Sequence, residues 1–204
     1  GQSKKRASMA SNKANKGPQN TKGFMSLLTK SKELPGIGTL TVDDNGDLHT
    51  PQFTLAPLDR EIHVEISDLE EDNEAKVTEA IRNFRALPAN ALEAATNATF
   101  AYYKDFANEF ADDEDVQEWL PQIEEPAKVW EHVTFPDYAV AQPGYEDDSP
   151  WYVVLECECE WEEEHGLQLV FRNGSEITEA GEYDGLPDWS DDMHDASGDG
   201  PYKN

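Results

Sequence analysis

Residues 151–161 read WYVVLECECEW, and this stretch decides the fold class. Successive side chains of a β-strand point to opposite faces of a sheet, so the alternation separates two sets of residues. The first face is apolar and consists of Trp151, Val153, Leu155, Cys157, Cys159 and Trp161. The second becomes acidic toward its end and consists of Tyr152, Val154, Glu156, Glu158 and Glu160. We therefore predict a strand with one face on a core and the other in solvent.

Two turn signals place further strands on either side of this one. Asn173-Gly174 separates residues 166–172 from 176–179, and tight hairpin turns need the positive φ that Asn and Gly tolerate. Near the other end of the chain, Asn45-Gly46 lies between residues 38–42 and 48–55. Both patterns predict antiparallel hairpins.

The N-terminal hairpin extends into a meander. Residues 61–66 alternate in the same way and predict its third strand. Pro51 has no backbone N–H to donate, so its strand is expected at an edge or with a bulge. Shorter strands are expected at residues 130–135 and 138–140.

Between the two strand regions the apolar period changes to that of a helix. It begins after Asp72, ends at Leu87-Pro88, and carries Val77, Ala80, Ile81 and Phe84. Asn90 is expected to cap a second helix that runs to Phe110. A third, short helix is expected at residues 115–123. The predicted fold is α+β, with an N-terminal antiparallel meander, a central helical pair and C-terminal antiparallel strands in one mixed or antiparallel sheet packed against the helices.

Charge divides the 204 residues into three parts. The whole chain holds 43 Asp and Glu against 16 Lys and Arg, a net charge of -27. Residues 1–32 hold eight of the basic residues and no acidic one, which leaves a net charge of -35 for residues 33–204. We predict a basic disordered arm at 1–32, a single α+β domain at 33–187 and an acidic flexible tail at 188–204.

Composition disfavours several classes of protein. The longest apolar run is far shorter than the roughly 18 residues that cross a bilayer, and no secretory signal pattern opens the sequence. We therefore expect a cytoplasmic protein with no membrane contact. The negative charge argues against direct binding of nucleic acid, which is itself an anion. Two Cys do not form a disulfide framework.

Two constellations near the end of the long strand suggest chemistry. Cys157 and Cys159 share a strand face and His165 follows, which is a metal alternative for zinc. We favour core packing for both Cys, because reduced Cys behaves as a small hydrophobe. Glu164 and His165 are the catalytic alternative, since an acid beside an imidazole supports acid–base chemistry. No nucleophile accompanies them, so we favour a structural role in the turn and expect no cofactor.

The same region carries a resemblance. Residues 159–167 read CEWEEEHGL and residues 171–174 read FRNG. This run resembles a bacterial domain of unknown function with a Cys-x-Trp-Glu-x-Glu-His-Gly-Leu segment before a Phe-Arg-Asn-Gly hairpin. Its members are also similar upstream, where helices carry a Tyr-Tyr pair such as Tyr102-Tyr103. The resemblance covers about residues 34–187 and implies an α+β bacterial cytoplasmic protein of no established activity.

The leading functional hypothesis is a non-enzymatic acidic module that binds a basic protein. Small acidic α+β proteins are frequent among immunity factors of toxin systems, so a regulatory or toxin-neutralising role is expected. The predicted binding residues are Glu156, Glu158, Glu160, Trp161, Glu162, Glu163, Glu164 and His165. The alternatives are a metal- or His-dependent hydrolase centred on Glu164 and His165, a DNA-mimic inhibitor, and a calcium-responsive tail at 188–199.

Overall fold

A mixed β-sheet covered by helices on one face forms the α+β domain, as a computed structural model of residues 31–188 shows. The strands are β1 Glu33–Leu34, β2 Gly38–Thr39, β3 Thr41–Val42, β4 Leu48–His49, β5 Phe53–Leu55, β6 Arg60–Ile66, β7 Val133–Thr134, β8 Tyr138–Pro143, β9 Trp151–Cys159, β10 Leu167–Arg172 and β11 Glu176–Gly181. The α-helices are α1 Glu74–Arg85, α2 Thr96–Glu109 and α3 Glu114–Trp119, and 3-10 helices span Ala56–Leu58, Ala91–Ala95 and Pro126–His132. The predicted fold class is confirmed.

The sheet has the strand order β11-β10-β9-β8-β6-β4-β3, with β5 also paired to β6 and β7 to β9. Strands β1 and β2 form a separate antiparallel pair. All pairs in the larger sheet are antiparallel except β6 with β8. A parallel pair needs a long crossover, and the three α-helices lie in that connection.

The N-terminal meander is confirmed, and Pro51 interrupts it. Strands β4 and β5 both pair with β6, separated by residues 50–52. At this break, Thr50 Oγ1 accepts a hydrogen bond from the backbone N–H of Val64 at 2.9 Å. A side chain thus replaces part of the ladder beside a residue that cannot donate to it.

The C-terminal hairpin is also confirmed. Asn173 and Gly174 both have positive φ, at 53° and 73°, between β10 and β11. The turn packs against α1, where the Asn83 side-chain amide donates to the Asn173 carbonyl at 2.9 Å.

The secondary structure differs from the sequence expectation in three places. The segment after Asn90 begins as a 3-10 helix at Ala91–Ala95, and the Asn90 side chain makes no capping hydrogen bond. The third helix is shorter than expected and is capped by Asp113, whose Oδ1 accepts from the N–H groups of Asp115 and Val116. The first half of the strand expected at 130–135 belongs to a 3-10 helix, because Pro126 is preorganised for a helical first turn.

The two faces of β9 differ, and the second face has a buried part and an exposed acidic part. Its apolar face joins the main core beneath the helices. On the other face, Tyr152 and Val154 form a small second cluster with Val170, whereas Glu156 and Glu158 are exposed. The predicted alternation of core and acidic faces therefore holds only for the second half of the strand.

Residues 184–188 lie against this second face. The buried Gln168 amide donates to Oδ1 of Asp184 at 3.2 Å and to Oε1 of Glu179 at 3.1 Å. Oδ2 of Asp188, itself buried, accepts from the backbone N–H of Tyr145. The chain beyond the predicted boundary at 187 therefore still contributes a buried residue. Nearly all of the predicted arm and tail, residues 1–30 and 189–204, lies outside the described residues.

The described residues from Lys32 onward belong to one compact unit. Within residues 31–188, no helix is both long enough and apolar enough to span a bilayer.

Candidate functional site

A groove of about 430 Å³ opens on the polar side of β9, beside β7 and the loop 160–166. We call it the acidic groove. It is lined by Thr134, Phe135, Pro136, Tyr138, Glu156, Cys157, Glu158, Glu163, Glu164, His165 and Gly166. Four of these residues are Glu, and none is Lys or Arg.

Strand geometry and a tight loop place the four Glu residues around the groove. Glu156 and Glu158 are two residues apart on β9 and so share a face, and both are exposed. The loop then turns back toward the sheet and adds Glu163 and Glu164, which are also exposed. In residues 31–188, none of these four carboxylates forms an ion pair with Lys or Arg.

The negative charge affects the pKa of Tyr138, an aromatic residue in the wall of the groove. Burial raises the pKa of the Tyr138 hydroxyl, and the carboxylates of Glu65 and Glu156 raise it further. Both carboxylates oppose the formation of another negative charge nearby. The groove is therefore a region of negative potential with an apolar wall.

Glu162 organises the loop from within. Its Oε1 accepts from the backbone N–H of Glu164 and its Oε2 from that of His165, each at 2.9 Å. The Tyr102 hydroxyl, beneath the loop, donates to the Gly166 carbonyl at 3.1 Å. The Glu162 side chain is only 12% exposed. Its contacts position the loop, so we remove Glu162 from the binding residues that the sequence predicted.

His165 lies between two carboxylates, but neither belongs to Glu164. Its Nδ1 is 3.0 Å from Oε2 of Glu162 and 3.2 Å from Oε1 of Glu182. The pairing suggested by sequence adjacency is therefore replaced by one contact across the loop and one with Glu182, the residue directly after β11. The backbone N–H of His165 also donates to Glu162.

Trp161 is buried, so it too is removed from the predicted binding residues. Its side chain is 0% exposed and packs edge-on against the rings of Tyr102 and Tyr103, at 5.8 and 5.9 Å between centroids. It supports the floor of the loop and offers no surface to a partner. Glu160 is exposed, as expected, and its carboxylate contacts Nδ1 of His132 at 2.5 Å.

The two thiols lie in the core. Both Cys are free and buried. Burial raises the pKa of the Cys157 thiol and raises that of Cys159 to about 12, although hydrogen bonding near Glu162 opposes the second shift. Zinc binds the thiolate, which this environment disfavours. In the described part of the chain, Cys157, Cys159 and His165 do not form a three-ligand cluster.

The structure instead brings together a histidine cluster that sequence reasoning missed, consisting of His49, His63 and Glu65. One potential ligand atom from each lies within 4.8 Å of the others. The two imidazoles are 14 positions apart in the chain, and the pairing of β4 with β6 makes them neighbours. The available signal was the alternation of His63 and Glu65 opposite the apolar face of β6, combined with the register of the first hairpin.

Comparison with known proteins gives a family and no activity. A family model described as a domain of unknown function (DUF6985) matches residues 36–187. No curated protein and no solved structure matches the chain.

Proposed function

The chain belongs to this family of unknown function, and from its surface we propose that it is a non-enzymatic module that binds a basic protein through the acidic groove. One observation carries the proposal. Glu156, Glu158, Glu163 and Glu164 converge on one groove and have no cationic partner among residues 31–188. Like charges held close together are destabilising, so a cationic partner gains free energy by entering.

The lining suits basic side chains in particular. Carboxylates accept the paired N–H groups of an arginine guanidinium, and the Tyr138 ring offers a face for a cation. Phe135 and Pro136 provide apolar contact for the aliphatic stem of Lys or Arg. The binding set is therefore narrower than the sequence suggested and consists of the four groove carboxylates.

The biological role we propose is regulatory or toxin-neutralising, in the cytoplasm of a bacterium. Its support is the large negative charge of the body, which attracts a cationic protein and accelerates encounter. Inhibitors of basic enzymes benefit from both effects.

The test compares two variants with the same change in net charge. The groove variant carries E156Q, E158Q, E163Q and E164Q, and the control carries E93Q, E109Q, E118Q and E124Q at exposed sites outside the groove. A fluorescein-labelled oligoarginine peptide serves as the probe in an anisotropy titration at about 0.15 M salt, where surface charges beyond roughly 8 Å are screened.

We expect the groove variant to bind the peptide at least about tenfold more weakly than the wild type does. Each lost pair of a carboxylate with an arginine of the peptide should cost about 0.5 kcal/mol or more of binding free energy. The control variant should keep most of the affinity. Equal weakening in both variants would mean that only net charge attracts the peptide, and the proposed site would be abandoned.

A further inference from the structure

We propose that the histidine cluster, His49, His63 and Glu65, is a binding site for one zinc ion. This inference is independent of the acidic groove, since it rests on a different set of donor atoms. Two imidazole nitrogens and one carboxylate oxygen are the ligands of many zinc sites that keep a fourth position open.

Strand register builds the cluster. His49 on β4 lies directly opposite Glu65 on β6, and residues opposite each other in an antiparallel pair have adjacent side chains. His63 precedes Glu65 by two residues and so points to the same face. The rings of His49 and His63 are 4.9 Å apart between centroids. Three donors therefore converge from two hydrogen-bonded strands, which form a rigid support.

Asp43 orients the first imidazole in the way expected next to a metal. Its Oδ2 is 2.8 Å from Nε2 of His49. A carboxylate at this position holds the ring N–H on Nε2 and leaves the lone pair of Nδ1 free. That Nδ1 faces Oε1 of Glu65 at 3.9 Å. Two acceptor atoms then face each other, and a cation between them would satisfy both.

The second imidazole supplies an independent observation. Nε2 of His63 is a buried atom with no hydrogen-bond partner among the residues that the structure describes. Buried polar atoms are normally paired, so this unpaired ring nitrogen is available to a ligand. The ring is also held in place by stacking on Tyr138, at 5.9 Å between centroids.

The dimensions agree with a zinc ion after a small adjustment. Ligand bonds of about 2.1 Å in a tetrahedral arrangement place the donor atoms about 3.4 Å apart. The observed separations are all within 4.8 Å, so the donor atoms have to approach one another by at most about 1.4 Å to coordinate zinc. The side chains of His49 and Glu65 are 15% and 30% exposed, which leaves a path from solvent.

The experiment uses the full chain, stripped of metal by chelator and titrated with Zn²⁺ against a chromophoric competitor in about 0.15 M salt with excess Mg²⁺. Mg²⁺ occupies exposed carboxylates without satisfying an imidazole site. His49→Ala and His63→Ala test the ligands, and Asp43→Asn tests the residue that positions His49. His132→Ala is the matched control, because His132 also pairs with a carboxylate but lies outside the cluster.

We expect one equivalent of Zn²⁺, bound at least about tenfold more weakly by His49→Ala and His63→Ala and equally well by His132→Ala. Asp43→Asn should weaken binding by about 10 to 100-fold, as loss of an orienting carboxylate does. Because an alanine variant can fail to fold, the imidazole nitrogens of the wild type are also followed by NMR. Zn²⁺ should shift the nitrogens of His49 and His63.

Three results would overturn the proposal. The first is the absence of stoichiometric binding. The second is binding that His165→Ala abolishes and His49→Ala does not, which would move the site to Glu162, His165 and Glu182. The third is a Zn²⁺ titration that leaves the His49 and His63 nitrogens unshifted.

Discussion

Replacement of Gly174 by Ala should be among the most damaging single substitutions in the domain. Gly174 lies in the C-terminal hairpin turn with φ +73°, and a Cβ built on it would lie 1.8 Å from the carbonyl oxygen of Ala80. The same Cβ would lie 3.0 Å from the backbone nitrogen of Phe84. Both are backbone atoms of α1, so no side-chain rotation relieves the contact. The hairpin and the helix would have to separate.

Gly185 offers a matched control for the backbone conformation. Its φ is +74°, but the nearest atom to an added Cβ is Oη of Tyr183 at 3.7 Å, an ordinary contact. A left-handed conformation costs a non-glycine residue about 1–2 kcal/mol. Gly185→Ala should therefore lower the free energy of unfolding by about that amount. Gly174→Ala adds a backbone clash and should cost 4 kcal/mol or more, roughly the size seen when a core is disrupted.

Urea unfolding followed by far-ultraviolet circular dichroism measures both variants, and the midpoints are compared at a common slope. The difference between the two free energies of unfolding measures the backbone clash, because the contribution from positive φ cancels. If the two free energies of unfolding agree within about 0.5 kcal/mol, the close approach of the hairpin turn to α1 is refuted.

Three further substitutions or probes test other parts of the structure. Trp161→Ala should lower the free energy of unfolding by about 3–5 kcal/mol in the same assay, because the side chain is fully buried; a change below about 1 kcal/mol would contradict that burial. The thiols of Cys157 and Cys159 should react with a thiol reagent at pH 8 only after denaturant is added, and immediate labelling of the native protein would exclude buried thiols. Burial raises the pKa of both thiols, so the free energy of unfolding should also fall as the pH rises from about 9, where unfolded thiols ionise, toward 12. Gln168→Leu should lower the free energy of unfolding by about 1–3 kcal/mol, because two carboxylates lose an amide donor; an unchanged thermal midpoint would show that this network contributes nothing.

Local patterns were enough for the fold class, for both hairpins and for the exposed carboxylates of β9. Alternation in residues 151–161 predicted the face of β9 that enters the main core, since the period of two follows from backbone geometry alone. The Asn173-Gly174 turn was equally direct, because positive φ is a property of those two residues. The exposure of Glu156 and Glu158 followed from the same pattern, and the neighbouring loop added its own carboxylates.

Tertiary structure decided what each side chain meets. The burial of Trp161 follows from the packing of Tyr102 and Tyr103 on α2, some 60 residues away, and no local pattern contains that contact. The second face of β9 is partly buried because Val170 comes from the neighbouring strand β10.

The histidine cluster depends in the same way on the register between strands. A shift of one residue between β4 and β6 would turn the His49 side chain away from Glu65. The sequence alone therefore determined the period of each element and the sign of its charge. Only the folded sheet decided which distant groups converge, because register and helix packing are set by the core as a whole.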